Sequence, residues 1–253
     1  MSNPIPFVLI DQQRPPASHP PGTPKISCLM VTRGRLSRAR LAIDCYLRQT
    51  YPDKELVIVS ESPQPALREH LAALGREDLR LVTLSPAGRT LGALRNIAVE
   101  QAQGELVCQW DDDDLCDPQR LEVQYGILRH AQSHACLMQR WLLWWPARRR
   151  LAVTHARRWE GSILCLRSAM PRYPDLVRAE DTPAIQQLCA SARVALFSLP
   201  QLYVYVVHGD NTCSDTHFES FWNDATVRVA DHEYDFALER LALRLPVKEY
   251  LQL

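Results

Sequence analysis

Residues 104–118 read GELVCQWDDDDLCDP, and the apolar run stops where four consecutive carboxylates, Asp111 to Asp114, begin. Leu106, Val107, Cys108 and Trp110 predict a strand buried in a sheet. Adjacent carboxylates repel one another by roughly 1 kcal/mol even at water-like dielectric. A fold that sets four of them at a strand end is therefore expected to offset them with a cation. Their hard oxygens suit Mg2+ or Mn2+ and not a thiolate-seeking metal. A solvated acidic turn is the ordinary fate of a charge run, but the position directly after a buried strand favours a metal site.

Upstream of this stretch, strand and helix patterns alternate. KISCLMVT (25–32) is a continuous apolar run typical of a strand covered on both faces. A helix is expected over Leu36 to Gln49, a second strand at ELVIVS (55–60), and a helix at PALREHLAAL (65–74). LRLVTLS (79–85) is a third strand and LGALRNIAVEQA (91–102) a third helix, before the strand that delivers the acidic run. Alternation at this spacing predicts βαβ units, a largely parallel sheet and helices on both faces. Ligands of such sheets bind beyond the carboxyl ends of the strands. Thr32 to Arg35, Glu61 and Asp111 to Asp114 all fall at such ends, so their loops should meet in one crevice.

The second half is less regular. RLEVQYGILRHA (120–131) is expected as a helix, with CLMQRWLLWW and RLAVTHARRW as paired strands around Pro146 and Ala147. GSILCLR and LYVYVVH read as further strands, EDTPAIQQLCASA as a helix, and the tail from His217 as mostly helical. Residues 1–24 hold seven of the eighteen prolines. They read as an extended arm outside the fold, which the apolar segment Phe7 to Ile10 can pin in part.

Composition excludes several classes. The chain of 253 residues has zero formal net charge, so no global field favours nucleic acid. No uninterrupted apolar stretch is long enough to span a membrane, and no signal peptide is evident at the N-terminus. The eight cysteines form no CxxC pair, which makes a zinc site improbable and reduced thiols in a cytoplasmic protein the better expectation. His130 and His134 lie four apart on a helix but lack an HExxH carboxylate, and read as surface histidines.

The order of segments resembles the family 2 glycosyltransferases, inverting enzymes of the GT-A fold. The matching pieces are ISCLMVTRGR, YLRQTYPDKELVIVSES, LGALRNIAVEQAQGELVCQWDDDD, PQRLEVQ, AEDT and HGDNT, covering about residues 25–215. The resemblance implies a nucleotide-binding half (25–117), an acceptor half (118–215) and a C-terminal helical segment (216–253) packed on the domain. It further implies a nucleotide-diphosphate sugar donor, a UDP-sugar first among them, with Mn2+ or Mg2+ between protein and diphosphate.

Residue by residue, the family's DxD maps onto Asp111, for the ribose or metal, and Asp113, for the metal, with Asp112 and Asp114 as the alternative register. His208, closing LYVYVVH, matches a late histidine that completes the metal shell; a structural strand-end histidine is the competing expectation. Thr32, Arg35, Glu61, Arg95 and Asn96 are implied on the nucleotide side. Thr32 and Arg35 stand in a loop reading VTRGR, without the family's aromatic and Asn, and Glu61 replaces an Asp. Asp181 is implied as the catalytic base, with Glu180 beside it, although acids in a first helical turn also complement the helix dipole. The acceptor would carry a hydroxyl and could be a glycan, a lipid-linked saccharide, a protein or a small molecule. Trp159 could wall the acceptor side. Trp141, Trp144 and Trp145 with Arg148 to Arg150 could form a membrane-surface or anionic-acceptor patch, but core or subunit-contact tryptophans beside a solvated arginine turn are the commoner arrangement. A nucleotidyltransferase of similar sheet, or a nucleotide-sugar-binding protein without turnover, are the rival readings.

Overall fold

The computed structural model describes residues 5–253; the first four residues of the expected arm lie outside them. Strand β1 (Phe7–Ile10) leads into β2 (Ile26–Val31), α1 (Leu36–Leu47), β3 (Lys54–Ser60), α2 (Pro65–Leu74), β4 (Leu79–Thr83), α3 (Leu91–Gln101) and β5 (Leu106–Gln109). Strand β2 pairs in parallel with both β3 and β5, and β3 with β4. That is the arrangement expected when right-handed βαβ crossovers follow one another.

The chain continues through β6 (Leu115–Cys116), α4 (Arg120–His130), β7 (Ala135–Met138), β8 (Leu142–Trp145), β9 (Arg150–Val153) and β10 (Leu164–Leu166). Helix α5 (Asp181–Ser191), β11 (Val194–Phe197), β12 (Tyr203–Val206), α6 (Asp215–Asn223), β13 (Val227–Arg228), α7 (Tyr234–Ala242) and α8 (Val247–Tyr250) complete it. Eight strands form the main sheet in the order β1-β11-β7-β10-β5-β2-β3-β4, and five form a second sheet, β13-β9-β8-β12-β6. Strand β10 runs antiparallel to its neighbours β5 and β7, so the main sheet is mixed.

Alternation along the central strands assigns the two cores. Cys28, Met30, Leu56, Ile58 and Cys108 join Ile43 and Tyr46 of α1 and Leu121 and Leu128 of α4. Leu29, Val57, Val59 and Val107 join Leu94 and Ala98 of α3 with Ile185 and Leu188 of α5. Helices thus cover both faces, as continuous apolar strands require.

Three expectations change. Phe7–Ile10 is the edge strand of the main sheet, paired antiparallel with β11 from Phe7↔Phe197 to Ile10↔Val194. The segment after it also belongs to the fold, since Ala17 is buried and its N–H donates to the Gln132 carbonyl at 2.9 Å. The run CLMQRWLLWW is two strands, not one. Its first half enters the main sheet as β7, and its second half pairs with β9 in the other sheet. Strand β11, in RVALF, was not expected at all.

Glycine at 92 is required by close approach rather than by its backbone angle. A Cβ there would sit 1.9 Å from the Pro174 carbonyl oxygen, because α3 packs its first turn directly on the segment preceding α5. Gly92→Ala should cost about 1–3 kcal/mol in urea denaturation, as overpacking does. Gly126→Ala, in α4 with nothing within 4 Å of the added methyl, should gain about 0.5–1 kcal/mol instead. Equal effects at the two positions would contradict this packing.

Candidate active site

At the carboxyl ends of β2 and β5 lies a cleft of about 800 Å3, the place where such sheets receive ligands. Its walls are the loop after β2, Asp111 to Asp114, the turn before β10, the start of α5 and residues 210–214.

The four carboxylates divide by alternation. Asp112 turns inward, accepting from Thr32 Oγ1 at 2.6 Å and Arg35 Nη2 at 2.5 Å. Asp114 also turns inward, accepting from the Tyr203 hydroxyl at 2.6 Å and the Val206 N–H at 2.8 Å. Burial pushes the Asp112 carboxyl up to about 6, with the neighbouring Asp113 charge adding to it. Burial does the same to Asp114, well above the usual carboxylate range, helped by Asp113 and Asp111. Asp111 and Asp113 keep more contact with the cleft, at 23% and 14% side-chain exposure against 2% for Asp112.

Asp113 Oδ2 meets His208 Nε2 at 3.0 Å and Arg35 Nη1 at 2.7 Å. Burial raises the Asp113 carboxyl, but the His208 hydrogen bond and the Arg35 charge outweigh it and hold it below its ordinary value. A carboxylate oxygen beside an imidazole nitrogen is a donor set that Mn2+ accepts, and Mg2+ less readily. Among the described residues, no group of three or more His, Cys, Asp or Glu side chains forms a complete metal cage. Asp113 and His208 would offer a divalent ion two protein ligands, and its remaining ligands would have to come from elsewhere.

Arg95 of α3 joins the acidic run to α5. Its Nη2 lies 3.1 Å from Asp111 Oδ1 and its Nε 2.6 Å from Glu180 Oε1. Glu180 is buried under this contact, whereas Asp181 lines the cleft and has no side-chain hydrogen bond or ion pair among the described residues. Burial pushes Asp181 up to about 6; Arg95 pulls it down, and the Glu180, Glu160 and Asp111 charges push it up.

Residues 27–143 match the family model described as Glycosyl transferase family 2. That stretch is a family 2 glycosyltransferase domain. A putative colanic acid biosynthesis glycosyl transferase, WcaA of Escherichia coli K12, is 34% identical over 117 residues, or 45% of this chain and 41% of the relative. The putative glycosyltransferase EpsH of Bacillus subtilis 168 is 27% identical over 100 residues, 40% of this chain and 29% of the relative. The chain thus spans less than half the length of these two relatives.

Solved structures share the GT-A fold. S. aureus TarS 1-349 in complex with UDP superposes with a TM-score of 0.60 at 18% identity, covering 78% of this chain and 69% of that one. The mannosyltransferase PcManGT from Pyrobaculum calidifontis, in complex with GDP-Man and Mn2+, superposes at 0.58 and 17% identity, covering 79% and 62%. The mixed sheet with helices on both faces agrees with this fold.

Not every residue expected at the site of the family 2 domain lies there. The Glu61 carboxylate accepts from the N–H groups of Ala87 and Arg89 and from the Arg89 guanidinium, so it pins the loop after β4 outside the cleft lining. Asn96 is occupied at both ends by the backbone of Tyr173, at 2.8 and 2.9 Å. Thr32 is buried and reaches the site only through Asp112. Trp141, Trp144 and Trp145 are core residues. The adjacent arginines do lie on an exposed turn, and they are paired there: Arg148 and Arg150 with Glu219, and Arg149 with Asp235. They clamp the C-terminal helices to β8 and β9 instead of forming a free basic patch, and no helix among the described residues is long and apolar enough to cross a membrane.

Tyr203 is the main residue that sequence reasoning missed. Its hydroxyl sits between Asp114 and Asp111, 3.2 Å from the latter, and its ring stacks on Trp141 at 4.9 Å, which stacks on Trp159 at 4.2 Å. The alternation Tyr203, Tyr205 in LYVYVVH was the available signal. Gln109 was also missed; its amide donates to Asp111 at 3.1 Å while its Oε1 is buried without a partner among the described residues.

The inward pair yields a test. Asp114 has a folded-state pKa above its unfolded one, so the stability it contributes is present at low pH and lost as pH rises through the folded value. Asn at 114 retains an acceptor for Val206 and a donor for Tyr203 without titrating. Melting temperatures followed from about pH 5 to pH 9 should show Asp114→Asn close to wild type in acid and increasingly above it in base. A deficit that grows with pH would contradict the upward shift of the buried Asp114 carboxyl.

Proposed function

We propose that this chain transfers a sugar from a nucleotide-diphosphate donor, a UDP-sugar first among them, to an acceptor hydroxyl with inversion at C1. The observation that carries this reading is the Arg95 bridge. It ties Asp111, on the donor side of a family 2 domain, to Glu180, and so sets the unpaired Asp181 carboxylate in the same cleft. TarS with UDP and PcManGT with GDP-Man and Mn2+ support a nucleotide donor in such a fold.

Asp181 takes the proton of the acceptor hydroxyl as that oxygen forms its bond to C1. The C1–O bond to the diphosphate breaks with its electron pair, and the nucleoside diphosphate leaves. A divalent ion held by Asp113 and His208 would neutralise that leaving group as a Lewis acid. Asp111 lies against the donor side and is held by Arg95, Gln109 and Tyr203. Glu180 acts through Arg95, which it orients. Eight free cysteines, seven of them buried, fit action in a reducing compartment such as the cytoplasm.

Thermal shift against nucleoside diphosphates and their sugars, with and without Mn2+, should show the greatest stabilisation for one base in the presence of metal. Asp181→Asn should keep donor binding and lose transfer by about 10²–10⁴-fold. A base must be deprotonated to act, and Asp181 is raised to about 6, so transfer should fall below that pH and level off above it. Transfer by Asp181→Asn at the wild-type rate would remove Asp181 as the base. Donor binding without turnover on any acceptor would favour a binding protein.

A further inference from the structure

Of the two arginines paired with the acidic run, Arg35 stands in front of the oxygen a metal would use. Arg35 follows β2 and opens α1 without capping it. Its guanidinium bridges Asp112 Oδ1 at 2.5 Å and Asp113 Oδ2 at 2.7 Å. That Asp113 oxygen is also the one facing His208 Nε2 at 3.0 Å. The arginine is held from a third side, since Nη1 donates to the Asp210 carbonyl at 3.3 Å, and Arg38 Nη1 fixes the Asp210 carboxylate at 2.8 Å.

We infer that Arg35 is a resident counter-ion that competes with the divalent metal for Asp113, so that metal binds firmly only together with a nucleoside diphosphate. The inference rests on the proposed function and concerns the order in which its components assemble. Two cations at one carboxylate oxygen repel each other, and the partly buried setting strengthens that repulsion over its value in water. With only Asp113 and His208 as protein ligands, the metal lacks the third group that would displace a bidentate arginine. A diphosphate supplies anionic oxygens that serve guanidinium and metal alike. Each ligand then raises the affinity of the other by the same factor.

The test is Mn2+ binding to the full chain, read by the electron paramagnetic resonance of free Mn2+, with and without UDP. Without UDP, Arg35→Gln should bind Mn2+ about tenfold tighter than wild type. Arg35→Lys keeps the charge but loses the planar, fixed fork that spans Asp112 and Asp113, and should fall between them; it serves equally if Arg35→Gln does not fold. UDP should raise Mn2+ affinity more in wild type than in either variant. Equal or weaker donor-free Mn2+ affinity in the variants, while wild type binds Mn2+ with UDP, overturns the role of Arg35 alone. No Mn2+ binding by any form, with or without UDP, overturns the metal in the proposed function as well.

Discussion

Charge balance at the end of β5 is the constraint on which the site depends. Four carboxylates on consecutive residues cannot all face one cavity without a cation for nearly every one. The fold supplies Arg35 on the β2 side and Arg95 on the α3 side. Behind them lies Arg120, fully buried and without a carboxylate partner among the described residues. Its guanidinium donates to the Gln109 and Gly161 carbonyls and packs over the rings of Trp110 and Tyr203 at 5.2 and 4.8 Å. One positive charge at the root of the acidic run thereby fixes the strand end, the turn before β10 and the tyrosine that separates Asp111 from Asp114. Burying an arginine is costly unless its donors are satisfied, and here Nη2 serves the two carbonyls at the cleft while Nε and Nη1 go to Gln124 and Cys116.

The bend that follows β5 lets a single run perform two tasks. Asp112 and Asp114 are drawn into the protein and meet hydroxyl and N–H donors. Asp111 and Asp113 remain toward the cleft. The inward pair builds the loop: Asp112 closes it onto Thr32, and Asp114 closes it onto β12 through Val206. An acidic repeat is thus partly architecture and partly binding surface.

The first half of the fold was legible because its strands are covered on both faces and therefore read as unbroken apolar runs with helices between them. The second half was not, for a physical reason. In CLMQRWLLWW the polar pair Gln139 and Arg140 marks the crossing from one sheet to the other, yet the apolar residues on either side read as one strand. Strand β11 is four residues long and β6 two, too short to show a period. At the site, residue types were legible but their commitments were not. Glu61 and Asn96 carry the right groups for a nucleotide, and only tertiary structure shows those groups bonded to Arg89 and Tyr173. Tyr203 was hidden for the opposite reason, since a tyrosine in an apolar strand looks like core and here is core and site at once.

The cleft separates its acids by environment rather than by residue type. Asp113 and Asp181 are both aspartates, both largely desolvated, and both within reach of arginines. At Asp113 the arginine is direct and a histidine hydrogen-bonds the same oxygen, so the anion is favoured. At Asp181 the nearby arginine is already divided between Asp111 and Glu180, and the surrounding acids add to the burial, so the proton is held until about pH 6. Environments that push two like groups apart are what distinguishes a permanent anion from a proton acceptor in one cavity. Burial is the main cause of this difference: Arg95 lowers the Asp181 carboxyl, but its direct contacts go to Asp111 and Glu180, so its pull does not cancel the burial as a direct ion pair could.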